Sequence, residues 1–276
     1  MKRTISGILT ETFPPENPKF RYPLILVHGP WSGSWCWREW AVRFSNLGWN
    51  CWAVNFRGRA EEKTLEPVAQ VTFGDCLGDL KQVMRAAGSS PVLLGHSLGG
   101  LAAVKAAEGE RTSAVIVLSA PFLGSGVKEP GHSLRLLRLK YLPLIFLRQS
   151  IRIKEKDFCS YWLASVPEYR RAAVLNGMVA ESTYLAKEFF RPAVSLDPKS
   201  VHCPVLVLGG TEDRIVSVES LRQMAQTLGA DFNDYQGHGH WMMEEEGWEA
   251  IVNDIHRWLV QRLGEELLLT ETSEER

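Results

Sequence analysis

Pro91-Val92-Leu93-Leu94-Gly95-His96-Ser97-Leu98-Gly99-Gly100 decides how this chain folds. Its first four residues are a short apolar run of the kind that fills a parallel strand covered on both faces. Gly95-x-Ser97-x-Gly99 follows at once, and Leu101-Ala-Ala-Val-Lys-Ala-Ala107 after it is a strong helix former. A chain that passes from strand to helix at one residue strains that residue's backbone. The neighbours two before and two after must then lack side chains, or strand and helix collide. The strained residue here is a serine, so its hydroxyl stands at a sheet end over a helix N-terminus that favours negative charge. The bland alternative is a helix-capping serine in a Gly-rich turn; the strand before it and the helix after it weigh against that.

Working outward, strands and helices alternate. Residues 1–23 read as a short strand followed by a Pro-punctuated loop, Phe13 to Pro18. Pro23 to His28 is a buried strand ending in Gly29, and a Trp-dense loop from Pro30 to Trp37 leads into a helix near Arg38 to Leu47. Gly48 to Phe56 is the next strand, stopped by Arg57-Gly58-Arg59, and a helix is expected from Phe73 to Ala87. Beyond the central stretch, Ala114 to Ser119 and Val205 to Leu208 read as buried strands. A helix at Glu219 to Leu228, a strand at Asp231 to Tyr235 and a closing amphipathic helix at Trp248 to Leu263 complete the series. This alternation implies a doubly wound, mostly parallel α/β sheet. Between Phe122 and Val201 helical patterns run without a convincing strand. Residues 123–200 are therefore expected to form a helical cap inserted into a core of 1–122 and 201–264, and the acidic tail 265–276 is expected to fray.

The 276 residues are 45% hydrophobic and 23% charged, with net charge −1, the balance of an ordinary globular chain with a large core and no general affinity for nucleic acid. The five cysteines (36, 51, 76, 159, 203) are odd in number and lack metal-like spacing, so reduced thiols and a cytoplasmic setting are expected. Ser6, Gly7 and Glu11 interrupt the apolar run a signal peptide needs, and no stretch is long enough to span a membrane.

A serine hydroxyl is a weak nucleophile that needs a base, and the base needs an orienting carboxylate. In such sheets these partners lie in loops beyond the carboxyl ends of later strands. Asp213 follows the Val205–Leu208 strand in Gly-Gly-Thr-Glu-Asp, and Gly237-His238-Gly-His240-Trp241 follows the last strand. The chain order Ser, Asp, His is one of the known arrangements of a triad. Asp213 is preferred to Glu212 because the shorter side chain suits the turn before Ile215. His240 is preferred to His238 because it precedes a helix start at Trp-Met-Met-Glu. His96 is read as packing beside the nucleophile. An oxyanion hole needs two N–H donors: Leu98, after the nucleophile, is one, and the other belongs in the loop after His28-Gly29. Pro30 has no N–H, so Trp31 is the first donor that loop offers.

Leu-Val-His28-Gly29, Asn55-Phe-Arg57-Gly58, Gly95-His-Ser97-Leu-Gly99-Gly100, Gly209-Gly-Thr-Glu-Asp213 and Gly237-His-Gly-His240-Trp together resemble the α/β-hydrolase superfamily, in particular its serine esterase and lipase-like members with a helical cap. The resemblance implies Ser97 as nucleophile, His240 as base, Asp213 as orienter and Leu98 as an oxyanion donor. The chain departs from the pattern at Pro30 and at Asn55, where many members carry Asp. A serine nucleophile also separates it from haloalkane dehalogenases and epoxide hydrolases of this fold, which use aspartate.

The expected activity is cofactor-free and metal-free hydrolysis of a small to medium, hydrophobic carboxylic ester through an acyl-enzyme. Two alternatives stand beside it: a lyase, acyltransferase or perhydrolase-like use of the same triad, and a ligand-binding or signalling member with a slow triad. Substrate clues are weak. Ten tryptophans, many of them between Trp31 and Trp52, suggest an aromatic wall. His132 to Lys156 carries seven Lys/Arg (135, 138, 140, 148, 152, 154, 156) against Glu155 alone, interleaved with Leu, Ile and Phe. Helices packed on the body with solvated basic tips explain this segment, and so does a surface for weak contact with anionic lipid or an acidic acyl carrier.

Overall fold

In the computed structural model, residues 1–59, 68–88, 90–121, 136–137, 139–141, 143, 150–190 and 194–268 are described. The strands are β1 (Lys2–Ile5), β2 (Ile8–Phe13), β3 (Leu24–Val27), β4 (Cys51–Val54), β5 (Val92–His96), β6 (Ala114–Leu118), β7 (Val205–Gly210) and β8 (Asp231–Tyr235). They form one sheet in the order β1-β2-β4-β3-β5-β6-β7-β8. The pairs β1–β2 and β2–β4 are antiparallel, and every pairing from β4 to β8 is parallel. Every residue of β3, β5, β6 and β7 is buried, as the continuous apolar runs require.

The chain leaves β3 through α1 (Arg38–Asn46) toward β4, then returns through α2 (Phe73–Ala86) past β3 to β5. Strand order therefore reverses between β4 and β5, on either side of β3. Right-handed crossovers in opposite directions put α1 and α2 on opposite faces. α3 (Leu98–Ala107) packs beside α2, and the closing helix Trp248–Leu263 packs on α1. The crevice at such a reversal, beyond the carboxyl ends of the strands, is where this sheet type binds ligands. Ser97 follows β5 at that point.

Two expectations are corrected. Residues 1–23 hold a hairpin rather than one strand: Ser6 (φ 50°) and Gly7 (φ 84°) form its two-residue turn, and positive φ at both positions is the geometry that matches strand twist. Of the tail expected to fray, residues 265–268 are held in place, and 269–276 lie outside the described residues. Gly264–Leu267 is a 3₁₀ turn, the Leu267 carbonyl accepts from Arg21 N–H at 2.9 Å, Leu267 is fully buried, and Leu268 bridges Phe20. Apolar burial of Leu267 holds what acidity alone would have released.

Between β6 and β7 the described residues form α4 (Glu155–Tyr161), α5 (Glu168–Gly177) and α6 (Thr183–Phe190), with an isolated bridge between Ile151 and Glu181. Of the basic segment, Arg135, Arg138 and Arg148 lie outside the described residues, whereas Lys140 Nζ pairs with Asp157 Oδ2 at 2.6 Å. Among the described residues no helix is long and apolar enough to cross a membrane, and the five cysteines are free thiols.

Candidate active site

At Ser97 the chain turns from β5 into α3 with φ 55° and ψ −127°. These angles suit glycine, and a serine holds them only where its surroundings over-determine the backbone. The two flanking glycines answer to different neighbours. A Cβ on Gly95 would lie 2.3 Å from the Gly99 carbonyl oxygen, which is the collision of strand with helix. A Cβ on Gly99 would lie 2.4 Å from the Val27 carbonyl oxygen, so Gly99 makes room for β3 rather than for its own strand. Ser97 is 1% exposed, and its Oγ has no hydrogen-bond partner among the described residues. Leu98 opens α3, so its N–H has no intrahelical acceptor and stands beside the hydroxyl.

Asp213 and His240 meet at the same sheet end. Asp213 Oδ1 accepts from the backbone N–H groups of Ile215 (2.7 Å) and Val216 (2.9 Å), which fixes the carboxylate. Its Oδ2 lies 2.8 Å from His240 Nδ1, with both side chains fully buried. A carboxylate only accepts, so Nδ1 donates and Nε2 is the basic nitrogen of the neutral ring. That Nε2 is buried and has no partner among the described residues. Glu212, the alternative to Asp213, is exposed.

The loop carrying His240 is held from two directions. His96 Nε2 donates to the His240 carbonyl at 2.9 Å, and the two rings pack with centroids 4.9 Å apart. Burial, with His240 next to it, holds the His96 pKa well below the ordinary value, so His96 is a neutral strut. Glu245, 2% exposed, accepts from Gly239 N–H at 2.8 Å and from His238 Nδ1 at 3.0 Å. His238 is therefore bound to Glu245, whereas Asp213 binds His240. Glu245 was not singled out from the sequence, where it is one of three successive glutamates.

Trp31, expected to offer an oxyanion donor, is engaged by the segment between β6 and β7. Its amide does not stand open for an oxyanion: it donates to Glu181 Oε2 at 3.1 Å. Its indole Nε1–H donates to the Ile151 carbonyl at 3.1 Å, and its own carbonyl accepts from Val179 N–H at 3.1 Å. The ring packs edge-on against Trp162 and Phe189. Trp31, at φ 59°, thus spends every polar group on the segment between β6 and β7 and anchors it to the loop after β3. Long-range bonds of this kind leave no local signal in the sequence.

The loop is braced in turn by Asn55. Its Oδ1 accepts from Ser34 N–H at 3.1 Å, and its Nδ2 donates to the Arg59 carbonyl at 3.0 Å. The second bond requires an amide, which accounts for Asn where Asp is common. Ser34 Oγ and Arg38 also bind the buried Glu11 of β2. Trp35 stacks on Trp241, and Trp241 packs against His96 and Phe158, so aromatic rings line the base side of the site.

A family model for the alpha/beta hydrolase family matches residues 24–254. The chain belongs to that family. A carbendazim hydrolyzing esterase of Nocardioides sp. (strain SG-4G) is 31% identical over 120 residues, 43% of this chain and 48% of that protein, so the match spans about half of that relative. Among solved structures, the monoacylglycerol lipase of Paleococcus ferrophilus superposes with a TM-score of 0.69 at 21% identity, covering 92% of this chain and 99% of that one. The esterase RhEst1 from Rhodococcus sp. ECU1013 gives 0.71 at 19% identity, covering 95% and 98%. Likeness at these identities concerns the α/β-hydrolase fold, which this chain shares over nearly its whole length.

Proposed function

We propose that this α/β-hydrolase is a serine esterase that cleaves small to medium, hydrophobic carboxylic esters through an acyl-enzyme. The observation that carries the reading is a pair of buried atoms without partners among the described residues, Ser97 Oγ and His240 Nε2, at one sheet end, with the far nitrogen of the ring held by Asp213. As Oγ attacks the ester carbonyl, Nε2 takes its proton and Asp213 stabilises the imidazolium. The oxyanion accepts from Leu98 N–H. Collapse expels the alcohol, which takes the proton from Nε2. Water, deprotonated by the same nitrogen, then releases the acid and restores Ser97. Of the expected cap 123–200, the described residues 150–190 and 194–200 cover this site, and the rings of Trp31, Trp162, Phe189 and Trp241 favour apolar substrates.

The test is hydrolysis of a p-nitrophenyl ester series of increasing acyl length. An initial burst, steady turnover and loss of both in Ser97→Ala support the proposal; turnover that survives Ser97→Ala overturns it. A second reading, a non-hydrolytic use of the triad by a lyase or acyltransferase, is favoured by one observation. Pro30 has no N–H and the Trp31 amide is taken by Glu181, so neither supplies a second oxyanion donor. Labelling by a fluorophosphonate without ester turnover selects that reading.

A further inference from the structure

Gly239, the residue before the base, has no Cβ to restrict its torsions, so the orientation of His240 has to be held from outside. The peptide unit between His238 and Gly239 is bound at both edges. Its carbonyl accepts from Glu212 N–H at 2.8 Å, one residue before Asp213. Its N–H donates to Glu245 Oε2 at 2.8 Å. A peptide unit is planar, and two bonds on opposite edges fix its tilt. The His240 carbonyl, one step further on, is fixed by His96.

The approach of Glu245 also explains the glycine. A Cβ on Gly239 would lie 3.1 Å from Glu245 Oε1 and 3.0 Å from Ser165 Oγ, closer than ordinary contact. The carboxylate and the segment between β6 and β7 occupy the space a side chain would need. Glu245 follows the 3₁₀ turn Met242–Glu244, just before the closing helix, and its side chain reaches back past the base to the residue that precedes it.

This anchor needs an acceptor rather than a charge. Gly239 N–H and His238 Nδ1 both donate to Oε2, while Oε1 is buried with no partner among the described residues. An amide oxygen in the place of Oε2 would accept the same two bonds. We propose that Glu245 is a positioning residue: by holding Gly239 N–H it sets the direction from which His240 Nε2 meets Ser97 Oγ. This rests on the esterase reading above. Without the acceptor Gly239 turns, and Nε2 leaves the hydrogen-bond reach that proton transfer requires. The loss falls on kcat, since the groups that line the substrate stay where they are.

The experiment measures p-nitrophenyl butyrate hydrolysis per folded molecule in three variants. Glu245→Met keeps the length and removes the acceptor; kcat should fall about 10²-fold, the cost of misplacing such a group by about 1 Å, with KM within about threefold. Glu245→Gln keeps the acceptor, its NH₂ turned to the Oε1 side because donor would otherwise face donor, and should stay within about threefold of wild type. Glu245→Asp keeps the charge but falls one methylene short, so it should lose at least about tenfold, and it takes the place of Met if that variant does not fold. A Met or Asp variant with wild-type kcat and only a lowered urea midpoint overturns the proposal, and so does a Gln variant that falls as far as Met. A second arm needs no turnover. The ring ¹⁵N shifts of His240 should report a proton on Nδ1 in wild type and Glu245→Gln, and a mixture of tautomers in Glu245→Met and Glu245→Asp as the ring leaves Asp213. If no ester is hydrolysed, the esterase reading fails while the ring shifts still judge Glu245, and shifts unmoved in both variants refute its role.

Discussion

Asp213→Asn isolates the orienting role of the carboxylate from its bulk. The substitution keeps shape and volume, so the question is where the new NH₂ goes. Oδ1 accepts from the N–H groups of Ile215 and Val216, and an amide nitrogen turned toward them would place donor against donor at both. The Asn oxygen therefore stays on the backbone, and the NH₂ faces His240 Nδ1, where Oδ2 stood at 2.8 Å. Nδ1 must then accept, which moves the ring proton to Nε2, the nitrogen that should receive the Ser97 proton. This wrong tautomer is expected to lower kcat by about 10⁴-fold, roughly 5 kcal/mol of transition-state stabilisation, with KM little changed. The assay is single-turnover acylation by a p-nitrophenyl ester, run beside thermal unfolding. Folding should be nearly unaffected, because both backbone bonds survive. An Asn variant within tenfold of wild type would refute the claim that Asp213 sets the tautomer.

Three further outcomes follow from the structure. Trp31→Phe keeps most of the ring contact but loses the indole bond to Ile151, and should cost about 1 kcal/mol in urea unfolding, against about 3–5 kcal/mol for Trp31→Ala; equal losses would contradict the anchoring role. Asn55→Asp sets a carboxylate oxygen against the Arg59 carbonyl and should destabilise by about 2 kcal/mol or more, read as a lowered urea midpoint; an unchanged midpoint counts against the bridge. Stability should fall with acidity. The unfolded imidazole of His28 binds a proton below its ordinary value of 6.5, while the buried one resists until about 3, so across that window the unfolded state holds more protons and is favoured as pH falls. His96, also held low by burial, acts in the same direction. Urea midpoints that stay level between about pH 7 and pH 5 would exclude this.

The fold was legible because its signals are local. Four strands read as unbroken apolar runs since both of their faces are covered, and the elbow followed from glycine spacing between a strand and a helix former. Asp213 and His240 could be placed near each other because their loops leave adjacent strands, β7 and β8, at one sheet end. What escaped the sequence was pairing at a distance. Glu181 joins Trp31 and Arg59 across 150 and 122 residues, and nothing near any of the three announces the others. The hairpin at Ser6-Gly7 was missed for a smaller reason: serine at the first turn position carries a weaker signal for positive φ than asparagine would. At the start of the tail the order of residues 265–268 escaped notice because charge was weighed and the apolar side chain of Leu267 was not.

The backbone angles at Ser97 have a thermodynamic corollary. A residue with a side chain held in that region costs about 1–3 kcal/mol, which glycine would not incur. Ser97→Gly should therefore yield a protein more stable than its parent and devoid of chemistry. The hydroxyl at position 97 is thus carried at a standing cost in stability that a glycine there would relieve.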